Sequence, residues 1–434
     1  MRISTVTMFE QSTASLNRQQ GDFLKVSQQI ASGRRVVNPS DDPQAASRAV
    51  GVDQAKAVTQ QFMDSRVSAR NSLAQTESIL NSVSDAVTSA KTLLIQASSD
   101  TLSDVDRESI ASELKGVYET MIGQANATDG NGRYLFGGYA DNAPPFVKDA
   151  DGNVQYKGDS NAREQRVDAS RLMPVTENGE SIFQSVPSGA GYVAEAVKTD
   201  VADGESVRNV GSVTFSGPQV TDVNDPDYGE SFRIVFGGDA DSPTLRIDKF
   251  DGMGWEALEF APDPDPADPN TGPIVDRPYT GEGQQLAFGG ISISLQGQPA
   301  AGDEILVARS GSEQREPDLF RTMEEAIRVL ENPADNETKK ADLRNTLNTS
   351  MRDLDNALDN VLTVRASAGA RLNELDVIDA VGGNRMLNYE QTLSDLVDLD
   401  YASAISEYSL RQIGLQAAQK AFVDIKGMSL FDFM

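Results

Sequence analysis

Residues 9–30 read FEQSTASLNRQQGDFLKVSQQI and residues 401–422 read YASAISEYSLRQIGLQAAQKAF. Phe9, Leu16, Phe23 and Ile30 fall seven residues apart, and so do Tyr401, Tyr408, Leu415 and Phe422. A strict seven-residue repeat sets large apolar groups on one narrow helical stripe, the geometry of a coiled-coil seam. About four heptads with so thin an apolar face make a marginal helix in water, because nucleation is costly and little surface is buried. The two ends are therefore expected to pair with each other and then with further copies, which makes these eight residues the candidate assembly surface.

Moving inward, Leu73, Thr76, Leu80, Val83, Val87, Ala90, Leu94 and Ala97 alternate three and four residues apart, an a/d seam with one polar member. Leu347, Met351, Leu354, Leu358 and Val361 repeat the pattern, with Leu372 and Leu375 beyond. Neither seam can stay in water, so the two helices are expected to pack together across everything that separates them. Gly369 interrupts the second run at a cost of about 1 kcal/mol relative to Ala. Either the close approach of a neighbouring helix or a kink would account for it.

Proline maps the division of the chain. Fifteen of the 18 prolines lie between residues 141 and 318, which also hold 32 Asp/Glu against 13 Lys/Arg, about −19 of the net charge of −28. Flanks nearly free of helix breakers and a middle full of them mark separate domains. In the middle, Ser231–Phe236, Thr244–Phe250 and Ile291–Leu295 read as short strands, the last with period two. The fold class is thus α+β and multidomain: a discontinuous helical rod with an inserted, mostly antiparallel β sandwich or barrel. The expected parts are residues 1–40 with 396–434, residues 41–140 with 319–395, and residues 141–318.

The joint between the first two parts is Asn38-Pro39-Ser40-Asp41-Asp42-Pro43. Residues before proline are pushed to extended conformations, Asp42 suits an N-cap and Pro43 the first helical position. Capping already explains Asp41 and Asp42, which leaves little reason to read them as a metal or acid–base pair.

The chain of 434 residues has room for several domains and contains neither Cys nor His. Disulfides, thiolate nucleophiles, Ser-His-Asp triads and HExxH zinc sites are excluded. Carboxylates and lysines remain, but no catalytic, cofactor or metal residues are assigned and no enzyme activity is expected. The strong negative charge argues against nucleic acid or an anionic membrane as partner. No apolar run has the length of a signal peptide core or a membrane span.

Asp149, Asp151 and Asn153 begin like a calcium loop, but Val154 stands where that loop needs Gly and Ser160 where it needs Glu. Asp263, Asp265 and Asp268 alternate with Pro262, Pro264, Pro266 and Pro269, too stiff a backbone to wrap an ion. Gly130, Gly132, Gly137 and Gly138 match no phosphate-binding motif, and Tyr134 and Phe136 are expected to pin that loop to the rod. The single Trp255 reads as a packed strand residue.

Met1-Arg-Ile-Ser-Thr5, Gln29-Ile-Ala-Ser-Gly-Arg-Arg35 and Asn38-Pro-Ser-Asp-Asp-Pro43 together resemble the N-terminal signature of bacterial flagellar axial proteins, most closely the hook-associated protein 3 (FlgL) type. Gly132-Arg-Tyr-Leu-Phe-Gly-Gly138, Gly297-Gln-Pro-Ala-Ala-Gly-Asp303, Arg365 with Gly369-Ala-Arg-Leu-Asn373, and Ile425–Met434 are similar to the same family. Glu304 departs from it, standing where an apolar residue is usual. Flagellin shares the paired ends, but it carries an Asp-Asp-Ala-Ala-Gly-like run where this chain has Asp41-Asp42-Pro43-Gln44-Ala45. The resemblance implies a structural subunit at the hook–filament junction, exported unfolded by the flagellar type III route without a cleaved signal and therefore extracellular. Its implied partners are other copies of itself, hook-associated protein 1, flagellin and an export chaperone.

Overall fold

The computed structural model describes residues 5–150, 152–187, 189–198, 207–239, 241–259 and 275–428. Seven helices occur among them: α1 (Thr5–Ser32), α2 (Pro43–Ala97), α3 (Asp104–Ala125), α4 (Gly179–Phe183), α5 (Leu319–Glu331), α6 (Glu337–Val397) and α7 (Tyr401–Met428). The chain forms two compact units: residues 1–67, 166–171 and 375–434 make the first, and residues 68–165 and 172–374 the second.

In the second unit the heptad seam of α2 is buried throughout, from Leu73 and Thr76 to Leu94 and Ala97. From Leu80 onward it shares one core with α3, α5 and the first half of α6, where Leu347, Leu354 and Val361 are buried. Ion pairs run along the outside: Lys91 with Asp355, and Arg365 with Glu77 at 2.8 Å. Their order fixes α2 and α6 as antiparallel. Ser103 and Asp106 form a capping box that starts α3. Asp318 starts α5, accepting from the N–H groups of Phe320 at 2.8 Å and Arg321 at 3.1 Å.

Part of the middle segment joins this helical core. Phe146, Phe183 and Phe320 stack with centroids 5.1–5.5 Å apart, and Phe136 meets Phe183 edge-on. Burying one such ring fully is worth roughly 1.5–3 kcal/mol. Leu135 and Phe136 are the buried pins of the glycine-rich loop, while Tyr134 stays half-exposed.

Most of the other described strands of the middle segment form a sandwich. Its larger sheet runs Trp255–Ala257, Ser242–Phe250, Phe232–Asp239, Glu304–Arg309, Tyr192–Glu195, with Arg277–Pro278 also on Ser242–Phe250. The smaller sheet runs Gln284–Phe288, Ile291–Gln296, Thr214–Val220, and all these pairings are antiparallel. Period-two alternation puts Phe232, Ile234 and Phe236 of one sheet against Ile291, Ile293 and Leu295 of the other in a single core. The last strand begins at Glu304 itself, opposite Val235.

Helix α6 closes an edge of each sheet. Asn345 donates to the Val213 carbonyl at 2.8 Å and accepts from the Phe215 N–H at 3.1 Å, and Thr349 donates to the Ala194 carbonyl at 2.7 Å. Side chains thereby satisfy edge groups that would otherwise recruit a foreign strand. The Gly297–Asp303 element locks the adjoining turn, because the fully buried Asp303 carboxylate accepts from the N–H groups of Val210, Gly211 and Ala300 at 2.8–2.9 Å.

Trp255 is a strand residue at the sheet margin rather than in the core, half-buried with the Arg233 guanidinium 4.8 Å from its ring centre. Gly369 lies within the unbroken helix α6 and open space surrounds the position of its missing Cβ, so no close approach inside the chain accounts for it.

Candidate assembly surface

In the first unit α1 and α7 lie side by side and antiparallel. Phe9 stacks on Phe422 with centroids 5.3 Å apart, and Phe23 on Tyr408 at 4.9 Å. Fourteen residues up one helix match fourteen down the other, so Leu16 falls opposite Leu415 and Ile30 opposite Tyr401. Between rungs, Arg411 pairs with Asp22 at 2.8 Å. Aromatic pairs of this kind add about 0.5–1.5 kcal/mol beyond area burial.

The ladder is nonetheless shallow. Leu16, Phe23, Ile30, Tyr408, Leu415 and Phe422 are only half-buried, Phe9 is 44% exposed and Tyr401 51%. Among described side chains of α1 and α7, Val26 and Ala404 alone are fully buried. Leu24, Ile405, Leu410, Ile413 and Val423 stand in solvent on the rest of the two helices, and Val50, Val58, Val377, Val381 and Leu387 do so on α2 and α6 in the same unit.

Both helical breaks of this unit meet at the joint. Asp42 caps α2: its carboxylate accepts from the Ala45 N–H at 3.0 Å, its carbonyl receives the first helical bond from Ala46 at 2.9 Å, and Pro43 is the first helical residue. Asp41 accepts from the N–H groups of Val37 and Asn38 at 3.2 and 2.9 Å and pairs with Lys25 at 3.0 Å. These bonds hold both carboxyls below the ordinary aspartate range, the Asn38 N–H first and the Lys25 ammonium next for Asp41, the Ala45 N–H first for Asp42 with Arg35 assisting. Asn38 and Pro39 are exposed on the turn between them, with the Asn38 carbonyl accepting from the Asp41 N–H at 2.9 Å.

Two features of the unit escape a reading of periodicity. Arg66, only 1% exposed, pairs with Asp379 and donates to the Val167 carbonyl at 2.9 Å. It fits because Gly382 has no Cβ, which would stand 2.4 Å from the Arg66 guanidinium. Nothing in the sequence flags this arginine, since its partners lie a hundred and three hundred residues away. Arg35 is the second: it donates from its backbone to the Val397 carbonyl at 2.7 Å and from its guanidinium to the Leu396 carbonyl at 2.7 Å and to Asp42 at 3.3 Å.

A groove of about 700 Å³ lies along α3 and α5, but Lys115 and Lys148 on its wall are paired with Glu331 and Glu119 at 2.5 Å, and Tyr118 donates to Glu324. Burial raises Glu324 despite that bond. Among the described residues no group of three or more His, Cys, Asp or Glu could hold a metal, and no helix is long and apolar enough to cross a membrane. Asp149 shapes a turn, accepting from the Asn153 N–H at 2.9 Å, whereas Asp151, Asp263, Asp265 and Asp268 lie outside the described residues, as do residues 1–4 and 429–434.

Comparison with known proteins decides the family. Residues 3–141 match the bacterial flagellin N-terminal helical region. The whole chain is similar to the flagellar hook-associated protein 3 of Escherichia coli (strain K12), 31% identical over 432 residues and 99% of each chain. The chain belongs to the flagellar hook-associated protein 3 family. The homologous hook-associated protein 3 of Salmonella typhimurium (strain LT2) is 30% identical over 431 residues, again 99% of each chain. The crystal structure of Xanthomonas campestris FlgL is similar with a TM-score of 0.61 at 27% identity, over 79% of this chain and 99% of that one. Membership assigns the chain a structural role at the flagellar hook–filament junction.

Proposed function

We propose that the chain is an exported structural subunit, without catalytic activity, seated between hook-associated protein 1 and the flagellin filament and joined to its neighbours through α1 and α7. The observation that supports this most is the concentration of exposed apolar side chains on the first unit: the Phe9/Leu16/Phe23/Ile30 and Tyr401/Tyr408/Leu415/Phe422 ladder is half-wet, and further aliphatic residues stand outside it. Exposed apolar side chains gathered on one unit in this way mark a contact still to be made. On this reading residues 1–40 with 396–434 are the polymerising pair and residues 41–140 with 319–395 the rod, with the joint Asn38–Pro43 between the two. The acidic segment 141–318 is the part turned to solvent.

The ends then complete their burial only on assembly, which suits a subunit that leaves the cell unfolded with an escorting chaperone and without a cleaved signal. Similar contacts repeated head to tail generate helical layers rather than closed dimers. The test is a gene deletion complemented with Leu16→Asp/Leu415→Asp. Deletion is expected to leave hooks without filaments and flagellin in the medium by electron microscopy, and the double variant is expected not to restore filaments although it is made and exported. Filaments that persist after deletion would favour a minor flagellin, and full rescue by the double variant would remove α1 and α7 from the assembly surface.

A further inference from the structure

A seven-residue ruler on both helices does not define its own register. Sliding α1 along α7 by one heptad, about 10 Å, sets Leu16 against Phe422, Phe23 against Leu415 and Ile30 against Tyr408. Three of the four apolar rungs survive, so the ladder discriminates weakly between the seen register and its neighbours. Something aperiodic has to choose.

The connectors identify which helix is free to slide. Helix α7 follows α6 after only three residues, 398–400, and cannot shift a heptad without unwinding an end. Helix α1 is joined to α2 by ten residues, 33–42, which at about 3.3 Å per extended residue span far more than a heptad. The sliding partner is α1, and its tether is where register has to be held.

That tether is laced to the end of α6 through Arg35 and to the connector beyond it through Gly33. The Arg35 N–H donates to Val397, its guanidinium to the Leu396 carbonyl and to Asp42, and its own carbonyl accepts from the Gln29 side chain at 2.6 Å. Beside it the Leu399 N–H donates to the Gly33 carbonyl at 3.0 Å, with Gly33 in the left-handed region at φ 69° and a Cβ there meeting the Tyr401 hydroxyl at 3.0 Å. One arginine thus ties the end of α1, the cap of α2 and the end of α6. The Asp22–Arg411 pair is a second aperiodic mark, since a heptad slip in either direction replaces Arg411 by Ala404 or Ala418.

We propose that Arg35 is the positioning residue that sets the register of the terminal helix pair. It rests on the reading that α1 and α7 form the assembly surface, and it adds that the eight ladder residues supply cohesion while the joint supplies alignment. A misaligned pair would present Leu24, Ile405 and Ile413 to neighbouring copies at the wrong height, so register is the quantity on which an ordered layer depends.

The absence of cysteine makes the test direct. In flagella from cells carrying only the substituted full chain, Leu16→Cys/Leu415→Cys reports the seen register and Leu16→Cys/Phe422→Cys or Leu16→Cys/Tyr408→Cys the slipped ones, because a disulfide needs Cβ atoms about 4 Å apart. With Arg35 intact, only the first pair is expected to cross-link. Adding Arg35→Ala is expected to raise a slipped product from background to a yield comparable with the native one. Arg35→Lys, which keeps one charge but not the forked reach, is made alongside in case the alanine chain does not assemble, and should give a lesser slipped yield. Native product alone in both variants overturns the proposal, and so does loss of all products without a slipped one, the signature of simple destabilisation. No native cross-link with Arg35 intact counts instead against the pairing of α1 with α7.

Discussion

Phe320, in the second unit, is fully buried among Phe146, Phe183 and Tyr118, whereas Phe9, in the first, meets Phe422 and keeps 44% of its surface in water. The contrast holds across the units. Both apolar cores of the described residues lie in the second unit, one among the helices and one between the sheets, while the first buries Val26, Val36, Ala45, Val167, Leu375 and Ala404 and exposes aliphatic groups on every helix it contains. A heptad repeat alone does not distinguish these fates. The seam from Leu73 to Ala97 finds α3, α5 and α6 in the same chain, and the terminal rulers find only each other, so what differs is the number of partners the chain itself provides.

This contrast can be broken at several places. Phe320→Ala should lower the unfolding free energy of the second unit by about 3–5 kcal/mol, read as a fall in its melting temperature by near-UV circular dichroism, whereas Phe9→Ala should leave that transition in place. Equal shifts for the two would erase the distinction. Gly382→Ala sets a Cβ against the Arg66 guanidinium and should cost about 1–3 kcal/mol as an overpacking strain, seen as earlier urea unfolding of the first unit; an unchanged midpoint would mean that Arg66 is not wedged there.

The smallest effect is acid loosening of the joint. Asp41 and Asp42 are held below the ordinary aspartate value of about 3.9. A depressed carboxyl stabilises the fold fully above that value and loses its contribution as pH falls through the folded pKa. The tether of residues 33–42 should therefore gain amide exchange below about pH 4 before the sandwich does, and a tether that loosens on raising pH instead would reverse the sign of the argument.

Much of the fold was legible because its cores obey simple periods. Every member of the Leu73–Ala97 seam is buried, and the alternation of Ile291, Ile293 and Leu295 marks one face of the smaller sheet. The parts that stayed hidden follow contacts rather than periods. Phe146 and Phe183 sit in a proline-rich acidic stretch yet complete the helical core, and Arg66 is polar on a helix face whose counterpart Asp379 lies far along the chain. For the assembly surface the rulers Phe9–Ile30 and Tyr401–Phe422 were readable and their mutual register was not, because Arg35 acts through backbone carbonyls of Leu396 and Val397 that no side-chain pattern announces.

A second unit complete in one chain should differ in its exchange from a terminal pair that neighbours complete. Hydrogen exchange on the full chain, compared between verified monomer and assembled flagella, measures that difference most directly. Fast exchange is expected along α1 and α7 in the monomer, slow exchange in α3, α5 and the sandwich in both states, and strong protection of α1 and α7 only after assembly. Monomer protection of α1 and α7 equal to that of α3 and α5 would contradict that expectation.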